Sequence, residues 1–208
     1  MALCVLCASA VNDLYAFGLC NYLENPLETL MKFDASIVQT HFQSPLGPII
    51  LAATTQGLAG LWFERQRHLP AQLIAESTGP GVWPTNPDHP VLKQAMQQLM
   101  DYFAGARTQF DLPLDLTGGT AFQQSVWQAL LAIPQGATAS YGQISSRIGK
   151  PAAVRAVGAA VGRNPVSIIV PCHRVMGADG SLTGYAGGLD RKTALLALER
   201  VPNLKDLF

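Results

Sequence analysis

Ile168-Ile169-Val170-Pro171-Cys172-His173-Arg174-Val175 is the stretch on which the reading of this chain turns. An apolar, β-branched run ends at a proline, and a thiol, an imidazole and a guanidinium follow with no spacer. Such a run predicts a buried strand, so reactive groups stand where a core element stops. Positive charge beside the thiol is expected to favour its thiolate, which is the nucleophilic form. A lone cysteine after a core strand also serves as plain packing. The flanking sequence has to separate the two readings.

On the C-terminal side, Gly177 to Gly180 form a turn, and Leu182-Thr183-Gly184-Tyr185-Ala186-Gly187-Gly188 is a glycine-lined loop against which a flat ligand can lie. Asp190 to Leu198 reads as a helix closed by Glu199, close to the negative end of the helix dipole. A buried Glu there needs a cationic or hydrogen-bonding partner; an exposed one makes a surface ion pair. Cys172, His173 and Glu199 have the composition of a thiol, a base and an orienting carboxylate. In an extended strand, however, Cys172 and His173 would point to opposite faces, so they meet only if the chain turns or a water bridges them.

On the N-terminal side, Asn164-Pro165 ends a helix predicted from Ala152 to Gly162 that carries Arg155. A shorter helix, Ser140 to Ile148, precedes it across the Gly149-Lys150-Pro151 turn, a helix-turn-helix pattern. Ala156, Gly158, Ala159, Ala160 and Gly162 let another backbone approach closely, whether in a groove or in a packed neighbour. Thr120 caps an earlier helix with the apolar face Phe122, Val126, Trp127, Leu130 and Ile133, stopped by Pro134.

Farther upstream, Phe110 to Leu116 reads as a short strand. Val91 to Phe103 reads as a helix with the face Val91, Leu92, Ala95, Met96, Leu99, Met100 and Phe103. Helical spacing from Leu69 runs into the Gly79-Pro80-Gly81 loop before Trp83. The strands Ile49 to Ala53 and Leu58 to Phe63, set off by turns at Ser44 to Pro48 and Thr55 to Gly57, make consecutive hairpins. The expected class is α/β in the broad sense, α+β in detail. A small antiparallel-sheet N-terminal domain, 36–114, precedes a mostly helical C-terminal domain, 115–208, with the helix-turn-helix and the cysteine loop. Residues 1–35 are read as an N-terminal extension of unassigned role. No Lys or Arg precedes Lys32, so a signal peptide's positive start is missing, and Met31 is expected to be the functional start.

With 49% hydrophobic and 13% charged residues in 208, the chain has the composition of a globular protein rather than a disordered one. No apolar run approaches the roughly 20 residues of a membrane span. The zero net charge hides an asymmetry: up to Asp115 ten acids face five bases, and after it nine bases face four acids. No acid lies between Leu116 and Ala178, which suits a polyanionic partner. Cys4, Cys7 and Cys20 crowd the N-terminus, and Cys4-x-x-Cys7 lacks the further ligands of a zinc set before His41. A reduced, cytoplasmic protein with one functional thiol is the simpler account.

From Thr120 to Glu199 the chain resembles the O6-alkylguanine-DNA alkyltransferases, also called methylated-DNA-protein-cysteine methyltransferases. The resemblance rests on Pro171-Cys172-His173-Arg174-Val175, Arg155-Ala156-Val157-Gly158, Asn164-Pro165, Ser140-Tyr141-Gly142-Gln143-Ile144, Thr183-Gly184-Tyr185-Ala186-Gly187-Gly188 and Glu199. Ser44-Pro45-Leu46-Gly47 extends it into the N-terminal domain. It implies repair of O6-methylguanine in double-stranded DNA by nucleotide flipping and one irreversible transfer to Cys172, with O4-methylthymine a candidate second substrate. By the same resemblance, His173 and Glu199 relay the thiol proton through water and Tyr141 assists the leaving base. Arg155 fills the vacated stack, with Tyr141, Ala156, Gly158 and Arg163 also at the DNA, while Val175, Tyr185, Ala186 and Asn164 form the pocket. A monomer without a cofactor or membrane contact is implied. No metal is expected, since Thr54 and Ala59 stand where some relatives place zinc ligands. Three other readings stay open: a non-catalytic damage binder, a regulator with a redox-sensing thiol, and a cysteine hydrolase.

Overall fold

The computed structural model describes residues 31–74 and 82–202. Strands β1 (Val38–Ser44), β2 (Gly47–Thr54) and β3 (Gly57–Phe63) form an antiparallel sheet in that order. Local turn chemistry sets the register. At the β1–β2 turn, the Ser44 hydroxyl donates to the Gly47 carbonyl at 2.6 Å and Gly47 adopts φ 104°, a conformation that favours glycine. Side chains alternate across the sheet. Ile49, Leu51, Ala53, Leu61 and Phe63 enter the main core, whereas Ala52, Ala59 and Trp62 meet Ile37 and Trp83 in a smaller cluster. Both faces are therefore covered.

Of the helical spacing expected from Leu69 up to the Gly79-Pro80-Gly81 loop, helix α1 (Ala71–Ile74) is what forms among the described residues. Helix α2 (Pro90–Phe103) packs on the sheet, but its buried face is rotated from the expected one. Leu92, Ala95, Gln98, Leu99 and Tyr102 are buried, and Met100 is 48% exposed. Gln98 outcompetes Met100 because both ends of its amide are bonded: it donates to the Asp111 carbonyl at 2.6 Å and accepts from the Asp111 N–H at 2.8 Å. The strand expected over Phe110 to Leu116 is not formed. That segment touches β3 at one bridge, Leu58 to Leu114, while the Asp115 carboxylate accepts from Thr54 at 2.7 Å and Thr117 at 2.5 Å.

The second half begins with α3 (Ala121–Leu131), started by a capping box in which Thr120 and Gln123 satisfy each other's backbone N–H groups. Strand β4 (Ala139–Ser140) leads into α4 (Tyr141–Arg147), opened by the same device through Ser140 and Gln143. Helix α5 (Val154–Gly162) follows the turn at Gly149, φ 70°. The Trp127 indole N–H donates to the Ala160 carbonyl at 2.9 Å, fixing α5 against α3.

The apolar run before the cysteine is not a strand. Ile168 takes φ 69°, and Ile169, Val170 and Cys172 donate back to Ser167, Val166 and Val170. The coil is stable there because the Asn164 amide accepts from the Val166 N–H at 3.0 Å and donates to the Val170 carbonyl at 2.8 Å. Cys172–Arg174 is a 3₁₀ turn, β5 (Val175–Met176) pairs in parallel with β4, and α6 (Leu189–Leu198) closes the described fold. Cys4, Cys7, Cys20 and the extension before Met31 lie outside the described residues. No helix among the described residues is long and apolar enough to cross a membrane.

Replacing Thr120 by alanine removes one half of the α3 capping box and is expected to lower stability by about 1 kcal/mol. Urea unfolding of Thr120→Ala checks this; an unchanged midpoint would mean that the cap contributes nothing.

Candidate active site

Cys172 is a free, buried thiol, 5% exposed, at the first position of the 3₁₀ turn. The Asn164 amide donates to its sulfur at 3.0 Å. Burial pushes its pKa up, and the Asn164 hydrogen bond and the nearby Lys192 charge only partly oppose this. The expectation of a favoured thiolate is thereby corrected: at rest the group is a thiol, because desolvation outweighs the surrounding positive charge.

The 3₁₀ turn, rather than an extended strand, carries the imidazole of His173 inward. His173 is fully buried, and its Nε2 lies 2.9 Å from Glu199 Oε1. Burial lowers the pKa of His173 despite Glu199, so the ring is neutral. A neutral ring facing a carboxylate carries its proton on Nε2. Nδ1 then keeps its lone pair, and it is buried with no protein hydrogen-bond partner.

Glu199 is a buried carboxylate at the end of α6, not a surface ion pair. Arg174 grips it through Nε at 2.8 Å and Nη2 at 2.7 Å, and the Tyr102 hydroxyl adds 2.8 Å. Burial alone would raise the Glu199 pKa; the hydrogen bonds and charges of His173 and Arg174 reverse that and hold it down to about 2. The third arm of Arg174 reaches the Ile133 carbonyl. Lys192, also fully buried, donates to the carbonyls of Val175 and Thr183. Desolvation brings its pKa down to about 8, with Cys172 opposing.

A pocket of about 190 Å³ opens above the sulfur, lined by Arg67, His68, Tyr141, Gly158, Val161, Gly162, Cys172, Gly184, Tyr185 and Ala186. Its size suits one flat heterocycle rather than an extended ligand. The structure brings Tyr141, Gly158, Tyr185 and Ala186 into one pocket with the cysteine. Asn164 and Val175 instead lie behind the wall, Asn164 on the sulfur and Val175 with its carbonyl on Lys192. Arg155 and Ala156 are exposed on α5, and Arg163 is half-buried just past its end. Tyr141 lies under α5, where its ring approaches Gly158 and its hydroxyl accepts from Thr183 at 3.2 Å. Among the described residues no three His, Cys, Asp or Glu side chains gather as a metal site.

Residues 121–201 match the family described as 6-O-methylguanine DNA methyltransferase, DNA binding domain, and residues 37–116 match its ribonuclease-like domain. The chain belongs to the 6-O-methylguanine DNA methyltransferase family. A methylated-DNA-protein-cysteine methyltransferase of Mycobacterium tuberculosis is 51% identical over 157 residues, covering 76% of this chain and 88% of the relative. One from Methanosarcina acetivorans is 48% identical over 158 residues, covering 76% and 95%. The crystal structure of the Mycobacterium tuberculosis O6-methylguanine methyltransferase superposes with a TM-score of 0.68 at 48% identity, covering 79% of this chain and 93% of the other. The Mycobacterium tuberculosis OGT in complex with DNA gives 0.67 at 47%, covering 83% and 98%.

Within this family member, several site groups escaped the sequence reading. Lys192 sits at helical spacing with Leu195, Leu196 and Glu199, so the inward face of α6 was open to the same periodicity argument used for α3. Tyr102 is likewise in step with Leu92, Ala95 and Leu99. Arg174 was read only as a charge near the thiol, although its guanidinium is what makes a buried Glu199 tenable. Arg67 and His68 follow β3 and reach the pocket with no local signal at all.

Glu199→Gln leaves Arg174 buried without its counter-charge and is expected to cost about 3–5 kcal/mol at neutral pH. Because the folded carboxyl is depressed to about 2 from an ordinary 4.5, its contribution is fully present above about pH 4.5 and fades as pH falls toward 2. The stability gap between wild type and variant, read by urea unfolding at pH 7 and pH 3, should therefore narrow at the lower pH. A gap that widened with acid would contradict this charge state.

Proposed function

We propose that this chain repairs O6-methylguanine in double-stranded DNA by moving the alkyl group onto Cys172 once and irreversibly. The observation that carries the reading is the buried thiol on the floor of a base-sized pocket beside α5, with the uncommitted Nδ1 of His173 in the same turn. On this account the pocket-forming helical unit, from about residue 115 onward, binds DNA, and the sheet unit before it supports the pocket.

The chemistry follows from the charge states. The thiol proton passes through water to His173 Nδ1, and the resulting imidazolium is stabilised by Glu199 across Nε2. Sulfur attacks the alkyl carbon in line; an S–C bond forms, the C–O6 bond breaks, and the electron pair stays on guanine. Tyr141 donates a hydrogen bond to the departing base, and the relayed proton completes neutral guanine. The product thioether has no leaving group that water can displace under these conditions, so each molecule acts once and needs no cofactor.

A base inside a duplex cannot reach a buried sulfur, so the nucleotide has to rotate into the pocket. Arg155 is the residue assigned to the vacated space, with α5 in the minor groove. The exposed Arg147, Lys150 and Arg155 lie on the acid-free block, which provides phosphate contacts and therefore salt-dependent binding. Tyr185 and Ala186 close over the alkylated oxygen. Ala186 offers no hydroxyl there, and O4-methylthymine remains a candidate second substrate. The protein is taken to act as a monomer in the cytoplasm.

Incubation with duplex O6-methylguanine followed by proteolysis and mass spectrometry should place one methyl on the Cys172 peptide. Cys172→Ala should abolish transfer while DNA binding persists. An unmodified peptide with tight binding would favour a damage binder, and a thiol that turned over would favour a hydrolase.

Arg155→Ala should slow transfer from duplex by about tenfold or more while changing the reaction with free O6-alkylguanine little, since only duplex requires extrusion. Equal losses on both substrates would remove Arg155 from the flipping step.

A further inference from the structure

The pocket loop is fixed from a place that the proposed chemistry does not use. Arg191, in the first turn of α6, lines no part of the pocket. Its Nε donates to the Leu46 carbonyl in the β1–β2 turn at 2.9 Å, and its Nη1 donates to the Gly187 carbonyl at 3.0 Å. The guanidinium lies 4.5 Å from the ring centre of Phe63 on β3, and its Nη2 lies over Gly47. Gly187 is itself wedged between Phe63 and Tyr185, where a methyl group would fall 3.1 Å from one ring and 2.7 Å from the other. The neighbouring Ala186 carbonyl accepts from the Arg67 N–H at 3.0 Å.

We propose that Arg191 is the positioning residue that clamps the loop over Cys172 to the N-terminal sheet, so that the sheet sets how tightly the pocket is closed. A guanidinium suits the task because its rigid fork serves two carbonyls while its face stacks on Phe63. A lysine at this position supplies one compact charge and cannot hold both carbonyls in the same geometry. Releasing the clamp loosens Gly187 and, through it, its neighbours Ala186 and Tyr185, which line the pocket with Cys172. Two consequences of opposite sign follow. The thiol becomes easier for a small reagent to reach, and the flipped base is held less well in line.

The test pairs two reactions of the full chain and its Arg191→Ala variant, with melting temperatures recorded alongside. Iodoacetamide forms an S–C bond at Cys172 with loss of iodide, and mass spectrometry of the Cys172 peptide separates this from the other cysteines. Methyl transfer from duplex O6-methylguanine, which rests on the function proposed above, is followed on the same peptide. The expected result is about tenfold faster reaction with iodoacetamide and about tenfold slower methyl transfer. Arg191→Lys should move both rates in the same senses by less, and it carries the test alone if the alanine variant does not fold. Rates that fall together, or that both stay unchanged, overturn the clamp. Absence of transfer by the wild type would instead sink the proposed function, while the iodoacetamide comparison would still report on the clamp.

Discussion

A carboxylate sealed in the protein interior has to be neutralised where it stands, and the arrangement around Glu199 follows from that constraint. Removing a charge from water costs several kcal/mol even after the surroundings relax. Arg174 offsets the cost with a two-point grip, and His173 and Tyr102 occupy further lone pairs. Those partners come from the cysteine turn and from α2, so one ion cluster ties the end of α6 to both halves of the fold. The cluster also fixes the imidazole: with Nε2 committed to Glu199, only Nδ1 is left to accept a proton.

The consequence for reactivity is a thiol that is protected until needed. Burial keeps Cys172 protonated, and the base beside it is neutral and oriented. For the proposed single-use reagent this is a sensible resting state, because a thiolate exposed to oxidants and small electrophiles would be consumed without repairing anything. The buried Lys192 fits the same logic. It places a charge near the sulfur while its hydrogen bonds hold Val175 and the Thr183 segment together, so pocket geometry and local charge share one group.

Much of this was legible in the chain. The hairpins were marked by Ser44 to Gly47 and Thr55 to Gly57, whose turn chemistry is local, α3 by its capping Thr120 and apolar spacing, and α4 and α5 by the tight Gly149-Lys150-Pro151 turn between them. The Cys-His and Glu199 pieces were identifiable as chemistry, and resemblance joined them. What escaped notice depended on distant partners. Ile168 to Val170 has strand composition but coils, because Asn164 supplies the hydrogen bonds that a neighbouring strand would have supplied. Gln98 displaces Met100 from the buried face of α2 because the Asp111 backbone lies opposite. Tyr102 meets Glu199 across 97 positions, and no local pattern announces such a contact. Lys192 differs: its spacing with Leu195, Leu196 and Glu199 was visible, and only the assumption that lysines face water hid it.

The proposed proton relay depends most directly on the protonation pattern of His173. Nitrogen-15 spectra of histidine-labelled protein at neutral pH, with the His173 signals assigned through a His173→Gln control, report each ring nitrogen separately. A protonated Nε2 and a bare Nδ1 are predicted. A doubly protonated ring, or a proton on Nδ1 with Nε2 bare, would contradict the relay and the thiol state built on it.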